Sequence, residues 1–92
     1  MLESAIEAAI RKHAIKTGWL CYKFSSPAHR GVPDRIFFSL KGEVALIEVK
    51  APGKKPTPLQ ARELAILQAR GIAADWFDNV SAACAWLDKH NT

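Results

Sequence analysis

Apolar residues return at helical spacing along the first segment, at Leu2, Ile6, Ala9 and Ile10 and then at His13 and Ala14. This predicts an amphipathic helix from Leu2 to about Lys16, with Gly18 as its stop. WLCYKF, Trp19 to Phe24, is rich in aromatic residues and reads as a strand, and SSPAHRGVP, Ser25 to Pro33, gathers turn formers into a loop. Arg35–Leu40 and Val44–Lys50 then read as two strands of a β-hairpin turning at Lys41 and Gly42. After a second loop, Ala51 to Pro58, the run TPLQARELAILQARG has a cap at Thr57, a proline in the first turn and Gly71 behind the last periodic residue. Ile72–Phe77 is apolar enough for a last strand. Asn79 to about His90 makes a closing helix with Val80, Ala83, Cys84 and Leu87 on one side.

The order α-β-β-β-α-β-α predicts a small α/β domain with a mixed sheet flanked by helices. At 92 residues, 49% of them hydrophobic, the chain is expected to form one domain, 1–92, around a single modest core. There is no repeat or low-complexity tract. No apolar run approaches the ~20 residues of a membrane span, and the first ten residues lack the layout of a signal peptide, so an intracellular, cytoplasmic location is expected. Cys21 and Cys84 lie far apart, outside any CxxC spacing. They suggest neither zinc nor a disulfide framework and are expected to be buried as small apolar residues.

The hairpin decides whether its charged residues can meet. Glu48 and Lys50 are two apart and share a face. A two-residue turn would put Asp34 opposite Val49, on the wrong side. A three-residue loop, Lys41 to Glu43, pairs Ile36 with Glu48 and Asp34 with Lys50, leaving one face apolar except at one end. The binary pattern favours that register.

Two carboxylates and a lysine then converge at the end of a half-buried sheet, where isolated charges would cost several kcal/mol. The carboxylates suit a hard divalent cation such as Mg²⁺, and the lysine suits orienting a nucleophile or stabilising charge on a phosphate. A plain salt bridge at a strand end is the simpler alternative. The net charge of +4, from 13 basic and 9 acidic side chains, would be higher still outside the site if Glu7, Asp34 and Glu48 took up a cation, which suits a polyanionic partner.

GVPDRIFF, followed after a turn by ALIEVKAPGKKPTPLQ, resembles the virus-type replication-repair nuclease (VRR-NUC) domain, a branch of the PD-(D/E)XK nuclease superfamily, in its stand-alone form. In that pattern the PD is Pro33 and Asp34, the ExK is Glu48 and Lys50, and a helix glutamine matches Gln60. A first-helix glutamate aligns with Glu7, with Glu3 as the other choice. The resemblance implies a restriction-endonuclease-like core and a Mg²⁺- or Mn²⁺-dependent endonuclease, with Asp34, Glu48 and Glu7 as ligands joined by the Val49 carbonyl. It also implies a homodimer acting on branched DNA such as four-way (Holliday) junctions, and a phage or prophage origin.

Local alternatives stand beside these assignments. Gln60 also completes a capping box with Thr57, and Glu7 is spaced to pair with Arg11. His29, Arg30, Lys54 and Lys55 lie in loops flanking the motif, and Lys23 on the neighbouring strand; all are candidate DNA contacts. The three tryptophans read as core or interface residues. A non-catalytic basic module that binds DNA or recruits a partner is the competing function.

Overall fold

The computed structural model describes residues 1–91. Its elements are α1 (Glu3–Lys16), β1 (Leu20–Lys23), β2 (Arg35–Phe38), β3 (Val44–Val49), α2 (Pro58–Ala69), β4 (Ala73–Phe77) and α3 (Val80–His90). The four strands form one sheet in the order β1-β2-β3-β4, antiparallel except for the parallel β3–β4 pair. A parallel neighbour needs a crossover, and α2 supplies it. The predicted mixed α/β architecture therefore forms, with boundaries moved by one or two residues. Leu2 is the exception in α1: it precedes the helix and is largely exposed, so the buried stripe is Ile6, Ile10 and Ala14.

Both faces of the sheet are covered. On one, Phe37, Ala45, Ile47 and Val49 are buried against Ile6, Ile10 and Ala14 of α1 and Ala83 and Leu87 of α3. On the other, Leu46 and Ala74 pack with Leu64 of α2, with Ile36, Val44 and Trp76 at the margin. Trp19 belongs to the first core, edge-on to Phe37 at 6.3 Å between ring centroids. Cys21 and Cys84 are free and half-buried rather than buried.

The hairpin register corrects the expected one. Phe38 pairs with Val44, Ile36 with Leu46 and Arg35 with Ile47, a shift of two residues from the three-residue loop. The cause is Ser39. Its N–H donates to the Glu43 carbonyl at 2.9 Å, and its Oγ accepts from the amides of Lys41 (3.2 Å) and Glu43 (2.9 Å). Side-chain bonding to nearby backbone competes here with the strand ladder, and Gly42 takes the φ of +84° that the turn requires. Leu40 is consequently left in solvent, 89% exposed, instead of pairing with Val44.

Candidate metal-binding active site

A shift of two residues leaves every side chain on its predicted face. One step beyond the Arg35–Ile47 pair, Asp34 lies beside Glu48 rather than beside Lys50. Asp34 is set there from both sides: Pro33 is fully buried, and the Asp34 carbonyl accepts from Phe24 N–H at 2.9 Å. Glu48 is only 6% exposed. Lys50, just past the strand, reaches back so that its Nζ is 3.7 Å from Glu48 Oε2.

Helix α2 closes the site. Thr57 and Gln60 form the complete capping box, with Gln60 N–H donating to Thr57 Oγ1 (3.2 Å) and Thr57 N–H to Gln60 Oε1 (3.0 Å). The same Gln60 side chain turns its Nε2 to Glu48 Oε2 at 3.4 Å. Cap and site contact coexist because the cap uses the amide oxygen and leaves the NH₂ free.

The negative charge of the site is only partly compensated. Burial, followed by repulsion from Asp34, pushes the Glu48 carboxyl up to about 7, with Lys50 pulling it partly back. Burial also raises Asp34, reinforced by Glu7. Among the described residues, Asp34 Oδ1 is buried without a hydrogen-bond partner. Two adjacent carboxylates with an orphaned oxygen between sheet and loops fit a hard cation bound through oxygen. Among the described residues no three His, Cys, Asp or Glu side chains gather into a cage of their own. A Mg²⁺ ion held by the two carboxylates would keep several waters.

The other candidates fall in different places. Glu7 Oε1 accepts from Arg35 Nη2 at 2.9 Å, so its direct partner is a strand residue on the α1 side, not Arg11. Exposed Glu3 repels both Asp34 and Glu48. Lys23, Arg30, Lys54 and Lys55 are exposed on the strand end and loops at this end of the sheet. His29 is engaged by its Nε2 with Glu63 of α2. Arg35 and Glu63 stand outside every motif of the sequence. The signal for Arg35 was a lone arginine in an apolar strand, and for Glu63 an acid one helical turn beyond Gln60.

Gly31 explains how the loop before Asp34 approaches α2. Its φ is +88°, and a Cβ there would come within 3.0 Å of the Leu59 carbonyl and Leu59 Cγ. Gly31→Ala is expected to lower stability by about 1–2 kcal/mol or more, read as a lower urea midpoint.

The chain is 49% identical over 69 residues to "Putative nuclease p44" of Acyrthosiphon pisum secondary endosymbiont phage 1, an alignment covering 71% of this chain and 74% of that protein. A solved structure described as a VRR_NUC domain superposes with a TM-score of 0.87, covering 98% of this chain and 97% of the other at 24% identity. The chain belongs to the family of that phage protein, and its fold is that of the VRR_NUC domain. No family model matches it. In this fold the loop into β2 carries Pro33 and Asp34, the end of β3 carries Glu48 and Lys50, and the first turn of α2 carries Gln60.

Proposed function

We propose that this protein is a Mg²⁺- or Mn²⁺-dependent endonuclease that hydrolyses DNA phosphodiester bonds, working as a homodimer on branched DNA such as four-way junctions. The observation that carries the reading is the Asp34–Glu48 pair, two carboxylates side by side with a buried, unpartnered oxygen and a proton affinity raised toward neutrality. The phage relative named as a nuclease supports the reaction class. Preference for junctions and the two-fold dimer follow from the family resemblance, since a two-fold assembly offers two equivalent sites to a four-way substrate. Among the described residues no helix is long and apolar enough to cross a membrane.

Asp34 and Glu48 would hold the cation, with the Val49 carbonyl as a further oxygen and Glu7 or Glu3 contributing negative charge from α1. A cation held there would supply positive charge to offset charge developing on the phosphate. Lys50, anchored beside Glu48, orients a water for attack and offsets charge as it develops on the phosphate. Gln60 restrains Glu48 through its amide and fixes the α2 cap against the site. Lys23, Arg30, Lys54 and Lys55 neutralise flanking phosphates, so binding is expected to weaken steeply with salt.

The test is cleavage of a labelled four-way junction and a matched linear duplex in Mg²⁺, Mn²⁺ and EDTA. Cutting only with metal, and faster on the junction, is expected. Cleavage of neither substrate under any metal, together with EDTA-insensitive binding, would instead mark a non-catalytic DNA-binding module.

A further inference from the structure

Glu63 is a buried acid with no part in the chemistry above. Its side chain is 11% exposed, and its contact is His29, whose own side chain is 61% exposed. A carboxyl group buried in that position needs a hydrogen-bond partner, and the imidazole Nε2 provides it. The contact joins residues 34 apart in sequence and ties the Ser25–Pro33 loop to α2. Two residues later Gly31 lies against Leu59 and the Glu63 side-chain stem, and Pro33 is buried. The loop is thus held at successive points until it delivers Asp34.

Asp34 depends on that path. Among the described residues its Oδ1 has no hydrogen-bond partner, so the placement of the carboxylate is inherited from the backbone on either side. Downstream, β2 is fixed by the sheet. Upstream, Phe24 N–H holds the Asp34 carbonyl, and the loop before it rests on α2 at His29 and Gly31; one turn earlier the same helix sends Gln60 to Glu48. A single helix therefore contacts both sides of the proposed cation site.

We infer that the His29–Glu63 pair is a positioning latch that holds the Asp34 loop on α2 and thereby sets the affinity of the Asp34–Glu48 site for a divalent cation. This rests on the metal-dependent reading above. The latch touches neither substrate nor metal; it acts through the backbone that carries Asp34. Support residues of this kind typically change metal affinity about 10–100-fold.

The experiment uses the full chain and its His29→Ala, Glu63→Ala and double variants. Mn²⁺ affinity is measured by calorimetry without DNA, well below the unfolding midpoint, and loop opening by the rate of trypsin cleavage after exposed Arg30. Each single variant is expected to bind Mn²⁺ about 10-fold more weakly and to be cut several-fold faster, with the double variant no worse than the weaker single one. A lowered midpoint alone would not move metal affinity in the folded protein. Wild-type affinity in His29→Ala, or losses that add in the double variant, would overturn the latch while leaving the metal site standing. A wild-type protein that binds no Mn²⁺ would overturn the metal-dependent reading and the latch together.

Discussion

Asp34→Ala and Glu48→Ala are each expected to reduce metal-dependent DNA cleavage by well over the roughly 10–100-fold that follows loss of a residue merely supporting a metal ligand. The reason lies in the shortage of alternatives. The site offers two adjacent carboxylates, and with either removed the remaining one cannot hold a doubly charged ion in place against the scissile phosphate. Neither substitution should damage the fold, since each deletes a carboxyl whose burial raises its proton affinity. Lys50→Met should separate the roles, lowering the cleavage rate while Mn²⁺ binding persists. The measurement is the initial rate on a labelled junction at saturating metal, with DNA affinity determined in EDTA. Rates within a few-fold of wild type in either carboxylate variant would sink the proposed site.

Without metal, Glu48 should weaken the fold as pH rises, and Glu48→Gln should remove most of that dependence. Its ordinary value is 4.5 and its folded value about 7, so the folded state holds the proton more tightly than the unfolded chain. The sign follows directly: stability falls as pH rises between those two values and stays reduced above the upper one. The gap corresponds to about 3 kcal/mol as an order of magnitude. Urea midpoints in EDTA should therefore drop between pH 4.5 and pH 8 for wild type, with a much flatter profile for Glu48→Gln. Asp34, raised in the same direction, contributes the residual slope. Added Mg²⁺ at pH 8 should restore the wild-type midpoint and leave that of the variant nearly unmoved, because the cation takes the place of the proton. An equally steep profile in the variant would show that the strain lies elsewhere.

Local chemistry made some of this legible in the residues alone. Helix α2 was readable from Thr57, Pro58, Gln60 and Gly71 because caps and stops act over three or four residues. The common face of Asp34 and Glu48 was readable because side chains alternate with period two along a strand. That same period is why the register was off: hydrophobic alternation cannot tell a hairpin from one slipped by two residues. The choice was made by Ser39 closing its own loop.

What the sequence by itself determined was the order of elements, the family pattern and the face on which the charged residues stand. Tertiary structure alone decided that Asp34 sits beside Glu48, that Arg35 holds Glu7, and that His29 holds Glu63. The first follows from the hairpin register, whereas the other two join residues 28 and 34 positions apart through the packing of α1 and α2 on opposite faces of the sheet. No local propensity or periodicity carries such information, because partners at that separation are chosen by how whole elements pack.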